Sequence, residues 1–296
     1  MNYYNEIKTK LIENENYARI KDYSKERYKL NTYYEVGKIL SEAGKHYGEG
    51  IIKEYSNKLT QELGKGYNTT SLKRMRQFYI CIQKGATLWH QLTWSHYKIL
   101  ITIDKIDELE YYSKTSVQNN NSVRELEERI KNKEYERLDE VTKLKLSKQE
   151  QPTIQEVIKN PIIINNSKNK PIITEKTLKE IILENLDKFL IELGNKFSYI
   201  GNEYKIKIGD RYNYIDLLLY NIEYNCYVVI ELKVTELKKE NIGQIETYMN
   251  YIDTNLKTIN QDKTIGIIIC KKDNKFIMEY CSDSRILSRE YLIKNY

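Results

Sequence analysis

The sequence is poor in the residues that build disulfide frameworks and zinc sites. Its 296 residues include four cysteines and three histidines. The cysteines are too scattered for a C-x-x-C metal knuckle and too few for a disulfide framework in a chain of this length, so we expect reduced thiols in the core. The three histidines are likewise too few for a histidine-rich zinc centre. If a metal ion is used, we expect carboxylates to bind it.

Long apolar segments are missing as well. A run such as residues 265–270 is far shorter than the ~18–20 residues that cross a bilayer. The first residues also lack the basic and apolar segments of a secretory signal. Charged residues make up 30% of the chain and apolar residues 40%, which is typical of a globular protein and excludes a collagenous or fully disordered one. We therefore expect a cytoplasmic protein that does not bind membranes.

Proline and positive charge are both unevenly distributed. All three prolines lie within residues 152–171, in an asparagine-rich stretch that is typical of an extended linker. This pattern predicts a first domain at residues 1–150, a linker at 151–173 and a second domain at 174–296. Within the first domain, residues 51–100 contain eight Lys or Arg side chains and only two Glu. Such a segment favours contact with phosphates.

The first domain has the apolar spacing of helices. One apolar stripe covers residues 51–63 and ends at glycine, and Ser71 is a suitable N-cap for the next helix. That next helix carries Lys73, Arg74 and Arg76, largely away from its apolar side. Two helices, a glycine turn and a basic second helix resemble a helix-turn-helix that contacts DNA, and equally a helical hairpin with a solvated basic face. Both interpretations stay open.

Two further features of this domain have a structural interpretation. Trp94 and His96 suggest base stacking or catalysis, but an aromatic-rich helical segment is more often core, so we interpret both as packing residues. Ser122 and Glu125 form a capping box that starts another helix. We therefore predict an all-helical domain that binds DNA or a protein partner.

The second domain changes from helical to alternating spacing. A helix at about residues 178–193 ends at Gly194, and strands follow. The predicted elements are a hairpin of residues 204–208 and 212–220, a strand at 227–234, a helix at 239–251, a strand at 264–270 and a short amphipathic tail. This order predicts a mixed sheet flanked by helices, and the chain as a whole is then a two-domain α+β protein.

Charged residues interrupt the most apolar strands of this domain. Asp216 follows Tyr214-Ile215, and Glu231 and Lys233 lie within Val228 to Val234. A buried charge is costly unless it is paired or binds a metal. One explanation is a structural ion pair; the other is a metal site, because Glu231 and Lys233 project to the same face and the hairpin brings Asp216 alongside. Two carboxylates with water and phosphate suit Mg²⁺.

This arrangement resembles the PD-(D/E)XK nuclease superfamily. Asp216 precedes a strand with Glu231-Leu232-Lys233, and a helix with Gln244 comes next. The surrounding sequence is similar to that of the YhcG-type branch, which consists of bacterial proteins with a helical N-terminal domain and a C-terminal nuclease domain. Ile215 stands where the superfamily name has proline. The similar segments are residues 75–79 (MRQFY), 92–97 (LTWSHY), 121–126 (NSVREL), 189–194 (FLIELG), 199–202 (YIGN), 214–220 (YIDLLLY), 229–233 (VIELK), 243–244 (GQ) and 265–270 (IGIIIC).

The resemblance implies a restriction-endonuclease-like α/β domain that hydrolyses DNA phosphodiesters with a divalent ion. Asp216 and Glu231 would bind Mg²⁺, or Mn²⁺ in its place. Lys233 would position the attacking water and stabilise charge on the phosphate, and Gln244 would help to orient these groups. Tyr248 is one turn further along the same helix and either reaches the site or packs in the core.

The helix in front of the sheet offers two glutamates for the site. Thr177 with Glu180 fits a capping box, which would make Glu180 structural, so we prefer Glu184 and keep Glu180 in reserve. Alternatives to a DNA endonuclease are a scaffold without enzymatic activity that binds DNA or assembles complexes, and a nuclease for structured RNA. Genome defence, mobile-element maintenance and DNA repair all fit, and a two-fold homodimer is the natural form if both strands are cut.

Overall fold

The structure, a computed structural model, describes residues 3–18, 25–48, 50–84, 91–194 and 196–295. Contacts divide the chain into two units, with the boundary between Tyr135 and Glu136. Among the described residues, no helix is both long and apolar enough to cross a membrane. None of the four cysteines forms a disulfide, and Cys81, Cys226 and Cys270 are buried.

The first unit is helical, as predicted. Glycines and polar caps separate its helices: Gly64 ends α3, and the side chain of Asn68 caps α4 by accepting from the Ser71 amide, so the cap is Asn68 and not Ser71. The predicted capping box of Ser122 and Glu125 is confirmed. The helices are α1 (Tyr3–Ala18), α2 (Lys25–Tyr47), α3 (Ile51–Leu63), α4 (Thr69–Gln83), α5 (Trp94–Leu100), α6 (Ile106–Gln118) and α7 (Val123–Lys131), with a short 3₁₀ turn at Lys65–Tyr67.

Two contacts fix the packing around α4. Gly37 on α2 lies so close to α4 that an added Cβ would stand 2.1 Å from the Met75 carbonyl oxygen, so only glycine allows this approach. Trp94 packs edge-on against Phe78 of α4, with ring centroids 5.6 Å apart. His96 is 8% exposed, and its ring nitrogens bond with Thr93 and the Asn121 carbonyl. The interpretation of Trp94 and His96 as packing residues is confirmed.

The second unit is built around one six-stranded sheet. The strands are β1 (Ile162–Asn166), β2 (Phe197–Ile208), β3 (Arg211–Asn221), β4 (Cys226–Glu236), β5 (Asp262–Lys272) and β6 (Ile286–Asn295). Their order in the sheet is β1-β6-β5-β4-β3-β2. The β1–β6, β6–β5 and β5–β4 pairs are parallel, whereas β4–β3 and β3–β2 are antiparallel. The predicted mixed sheet is confirmed.

Helices cover both faces of this sheet, because alternate residues of the central strands are apolar on both sides. Val228 and Ile230 of β4 pack in the core that includes α10 and α11. Val229 packs in the opposite core, which includes Ile245 and Met249 of α12. The helices of this unit are α8 (Glu140–Ser147), α9 (Ile154–Val157), α10 (Glu175–Glu184), α11 (Leu186–Leu193), α12 (Lys239–Asn255) and α13 (Lys275–Glu279).

The segment between the predicted domains differs from the expectation. Residues 151–173 were predicted as a linker, but they contain α9 and β1, and β1 pairs with β6 inside the sheet. The unit boundary lies after Tyr135, so α8 belongs to the second unit although it falls within residues 1–150. Lys145 of α8 bonds to Glu156 of α9 at 2.7 Å, which holds this segment to the sheet unit.

The helix predicted at residues 178–193 is two helices. Asn185 separates α10 from α11 with non-helical backbone angles (φ -130°, ψ 42°). The first of them is capped by Thr174, whose side chain accepts from the Thr177 amide. The predicted capping box of Thr177 and Glu180 is therefore wrong, because Thr177 lies inside the first turn rather than before it.

Candidate active site

The β3–β4 ladder brings two carboxylates together. Leu217 pairs with Ile230, and one residue further from that pair lie Asp216 and Glu231. The Asp216 amide donates to Glu231 Oε1 at 3.4 Å, and the Leu232 amide donates to Asp216 Oδ2 at 3.0 Å. The two side chains predicted as metal ligands are therefore neighbours, at the point where β3 leaves β4.

Glu231 is buried with little compensation for its charge. Its side chain is 2% exposed, and Lys233 Nζ lies 3.4 Å from its Oε2. Burial, followed by the charge of Asp216, raises the pKa of Glu231 to about 7, and Lys233 offsets this only in part. A carboxylate in such surroundings gains from an additional cation. Lys233 is on the same strand face two residues away, as predicted.

A second lysine lies at the site. Lys179 of α10 is 15% exposed, and its Nζ is 2.7 Å from Asp216 Oδ1 and 3.2 Å from Glu203 of β2. Burial lowers the pKa of Lys179, but hydrogen bonds and charge from Asp216 and Glu203 outweigh burial and leave it raised. Sequence reasoning missed Lys179 and Glu203, because nothing in a lysine-rich helix distinguishes Lys179 from Lys176 one turn earlier.

Gln244 and Tyr248 lie on α12, which packs on the sheet face that includes Val229. Gln244 Nε2 donates to the Tyr248 hydroxyl at 3.0 Å. Tyr248 is only 5% exposed and belongs to the apolar core of that face. The packing interpretation of Tyr248 is therefore the one that the structure favours, and Gln244 is held at the surface of α12 by the Tyr248 hydroxyl.

The two helix glutamates pair with lysines instead of joining the carboxylates. Glu184 Oε1 lies 3.0 Å from Lys168 Nζ and 3.1 Å from Lys170 Nζ, and Lys170 also bonds to Glu180 at 2.9 Å. Hydrogen bonds from Lys168 and Lys170 lower the pKa of Glu184. Among the described residues, no hydrogen bond or ion pair joins either glutamate to Asp216 or Glu231. The structure therefore gives no support to Glu184 as a site member or to Glu180 as its reserve.

The basic residues of α4 lie outside the sheet unit. Lys73 and Arg74 are exposed, Arg76 is half-buried, and Leu72 and Met75 face the core. This is the orientation expected of an amphipathic helix with a basic outer face.

The donor set fits a hard divalent cation. In the described part of the chain, no three His, Cys, Asp or Glu side chains converge as a metal cluster. Asp216 and Glu231 nevertheless supply carboxylate oxygens, and one or two carboxylates with water and phosphate are what Mg²⁺ takes in proteins. The Lys179 ammonium beside Asp216 Oδ1 indicates that positive charge is stabilised at this position. Among the described residues, no thiolate or imidazole joins these carboxylates as a ligand for a soft metal.

Comparisons with known families agree with this geometry. Residues 155–296 match the family described as the YhcG PDDEXK nuclease domain, and residues 8–137 match the family described as the DUF1016 N-terminal domain. The C-terminal part of the chain is therefore similar to YhcG-type PDDEXK nuclease domains, and the helical part that precedes it in the sequence is similar to DUF1016 N-terminal domains.

Individual relatives are more distant. The protein of Escherichia coli (strain K12) named "Putative nuclease YhcG" is 25% identical over 283 residues, which covers 81% of this chain and 76% of the relative. The crystal structure of a repair endonuclease from Pyrococcus abyssi aligns with 43% of this chain and 49% of that one, at 17% identity and a TM-score of 0.29. An EndoMS–dsDNA complex aligns with 43% and 48%, at 20% identity and a TM-score of 0.29.

Proposed function

We propose that this chain is a cytoplasmic, metal-dependent endonuclease that hydrolyses DNA phosphodiesters. The observation that carries the proposal is the pair of Asp216 and Glu231, adjacent at one end of the β3–β4 ladder, with Glu231 buried and its charge only partly offset by Lys233. A protein that needed only a structural ion pair would gain more from a fully bonded one. The arrangement suits a site that is completed by a cation.

In this mechanism Asp216 and Glu231 hold the divalent ion. When bound, Mg²⁺ or Mn²⁺ lowers the pKa of water and neutralises charge on the phosphate. Lys233, 3.4 Å from Glu231, lies where its ammonium can orient the attacking water and stabilise charge that develops on the phosphate oxygens. Gln244 supports this assembly from α12, where the Tyr248 hydroxyl fixes its amide.

The basic face of α4 is the proposed DNA contact of the helical domain. Lys73, Arg74 and Arg76 are spaced over one turn, and Lys and Arg side chains bind phosphates without reading sequence. A protein partner of this domain is the other proposal. A homodimer would place two sites on the two strands of a duplex, and the cellular roles that fit are genome defence, mobile-element maintenance and DNA repair.

The decisive experiment compares cleavage of supercoiled and branched DNA by wild type and Asp216→Ala. Each protein is incubated with Mg²⁺, Mn²⁺ or EDTA at two salt concentrations. We expect wild type to cut in the presence of either metal, and we expect no cutting with EDTA or by Asp216→Ala. Glu180→Gln is the matched control, because it also removes one acidic charge of the same unit, and among the described residues Glu180 is paired with Lys170.

A scaffold without activity is the second candidate, and one contact favours it. Lys179 is already bonded to Asp216 at 2.7 Å, as in a structural ion pair. If wild type and Asp216→Ala bind DNA equally and neither cuts it, the scaffold is the better explanation. Competition between labelled DNA and structured RNA tests the third candidate, an RNA nuclease.

The role of α4 is tested by the salt dependence of DNA binding. Replacing Lys73 and Arg74 with glutamine removes two exposed cations. Each lost phosphate contact lowers the slope of log affinity against log salt by about 0.9, so the double variant should bind all sequences more weakly with a slope reduced by about 2. An unchanged slope would assign DNA binding elsewhere.

A further inference from the structure

The β2–β3 hairpin extends past the rest of the sheet. Pairing between β2 and β3 continues to Ile208 and Arg211 next to the turn, whereas the ladder between β3 and β4 stops at Leu217 and Ile230. Residues 204–215 therefore form a two-stranded ribbon that starts where Asp216 lies. A ribbon at the edge of a catalytic site is well placed to contact a substrate.

The two faces of this ribbon differ in chemistry. Ile206 is 1% exposed and Ile215 is fully buried, and both pack in the core on the α12 side. The opposite face carries two pairs of direct cross-strand partners, Lys205 with Tyr214 and Lys207 with Tyr212. Residues two apart on one strand project to the same face of a sheet, and so do direct cross-strand partners. These four side chains therefore lie on one face, and all four are exposed.

The exposed face combines aromatic rings with positive charge. Tyr212 is 55% exposed and Tyr214 is 53% exposed, which is unusual for side chains that could pack in a core. The Lys205 ammonium lies 3.8 Å from the centre of the Tyr212 ring. Glu203, the next residue on this face of β2, is already paired with Lys179. The face therefore presents two aromatic rings and two cations, and the neighbouring carboxylate of Glu203 is paired with Lys179.

This combination matches the chemistry of single-stranded nucleic acid. Proteins that bind unpaired strands use basic side chains for the backbone and aromatic rings on which bases stack. A continuous duplex keeps its bases stacked on one another and offers no free face to a tyrosine. Tyr214 precedes Asp216 by two residues, which is about 7 Å along a strand. A base stacked on Tyr214 would thus hold its strand close to the carboxylates.

We propose that the exposed face of this hairpin, formed by Lys205, Lys207, Tyr212 and Tyr214, binds an unpaired DNA segment next to the phosphate that is cut. The substrate class is then DNA with a single-stranded arm at a junction, not continuous duplex. The cleavage part of this inference rests on the proposed function; the binding part does not.

The test measures binding of full-length protein by fluorescence anisotropy in EDTA, so that cleavage cannot interfere. Three labelled DNAs are used: a blunt duplex, the same duplex with a single-stranded arm, and the arm alone. The double variant Tyr212→Ala/Tyr214→Ala should bind both arm-containing DNAs roughly tenfold or more weakly. Its affinity for the blunt duplex should stay that of wild type.

Two variants separate stacking from loss of the fold or of surface area. Tyr212→Phe/Tyr214→Phe keeps both rings and should bind the armed DNA as wild type does. Tyr280→Ala removes a tyrosine that is 85% exposed outside the hairpin and should change nothing. Thermal unfolding of each variant checks folding. The inference is overturned if the double alanine variant binds armed DNA as tightly as wild type, or if it loses affinity for the blunt duplex equally.

Cleavage by the same proteins in Mg²⁺ keeps the two claims distinct. Cutting that depends on Asp216, together with arm binding that ignores both tyrosines, overturns the hairpin inference and leaves the nuclease. Arm binding that depends on the tyrosines, without any cutting, supports the hairpin inference and contradicts the nuclease.

Discussion

The two units of the chain each bury a glutamate, and the two glutamates are bonded very differently. In the helical unit, Glu134 is 4% exposed and accepts from Arg129 at 2.6 and 2.7 Å and from the Tyr111 hydroxyl at 2.7 Å. In the sheet unit, Glu231 is 2% exposed, with Lys233 and the Asp216 amide both at 3.4 Å.

The difference separates a structural charge from one that suits a reaction. Short, charge-assisted bonds to a bidentate arginine compensate the buried Glu134. Glu231 has similar burial and only long contacts, so its pKa rises to about 7. Burial alone therefore does not distinguish a candidate site, whereas a buried carboxylate with long bonds and a raised pKa, as at Glu231, makes one. The predictions that follow test this contrast, from the largest effect to the smallest.

The largest effect is expected on cleavage. Glu231→Gln keeps the volume of the side chain but removes the charge that would hold the divalent ion, so the rate of DNA cleavage should fall at least ~100-fold. Initial rates in Mg²⁺ measure this. Glu180→Gln serves as the control and should cleave at the wild-type rate. A Glu231→Gln protein with wild-type activity would contradict the contrast.

Glu134→Gln should instead affect stability. Removing one partner of a buried ion pair leaves Arg129 with an uncompensated charge, which costs about 3–5 kcal/mol of the free energy of unfolding. Denaturant titration measures it. A loss below about 1 kcal/mol would show that Glu134 is not the structural counterpart described above.

In the metal-free protein, Glu231→Gln should be stabilising at high pH. The pKa of Glu231 is about 7 in the folded chain and 4.5 ordinarily, so the folded chain keeps this proton up to about pH 7. Between these values the folded chain binds more protons than the unfolded chain, so Glu231 costs stability as pH rises, fully so above pH 7. The free energy of unfolding of the variant, relative to that of wild type, should therefore be about 2 kcal/mol larger at pH 8 than at pH 5.

Urea titrations in EDTA at the two pH values give that difference. Mg²⁺ should then stabilise wild type and leave the variant unchanged, because the ligand has been removed. An equal difference between the two proteins at both pH values would mean that Glu231 does not titrate in this range.

The smallest effect is expected at Lys179. Its ammonium lies 2.7 Å from Asp216 Oδ1 and would compete with a cation bound there, so Lys179→Met should lower the Mg²⁺ concentration needed for half-maximal cleavage by a few-fold. Cleavage rates across a Mg²⁺ titration measure this shift, with Lys176→Met as the control on the same helix. A higher Mg²⁺ requirement would mean that Lys179 supports the site instead of competing with the ion.

The sequence predicted the central strands because their patterns are local. Val228 to Val234 is apolar enough to be recognised alone, and Gly209-Asp210 marks the hairpin without reference to other segments. β1 was missed because proline and asparagine surround it, and its Ile162, Ile163 and Ile164 are too short a run to outweigh them. Its pairing partner, β6, lies more than 100 residues away.

The same limit explains the candidate site. Asp216, Glu231 and Lys233 interrupt apolar strands, so their unusual position is visible in the sequence itself. Lys179 and Glu203 are ordinary surface residues until the fold places both beside Asp216. Glu184 was preferred for its place on a helix face, and the sequence does not reveal that Lys168 and Lys170 form ion pairs with it.

The pairing of β1 with β6 has a consequence for synthesis of the chain. Asn166 on β1 bonds to Asn295 on β6, across 129 residues. A nascent chain that has emerged as far as residue 280 contains both carboxylates, both lysines and the hairpin, but β1 and β5 still lack the strand that joins them. Contacts of such long range form late and slowly. We therefore expect the sheet of this unit to be complete only after β6 has left the ribosome, well after the segments that carry both carboxylates have been made.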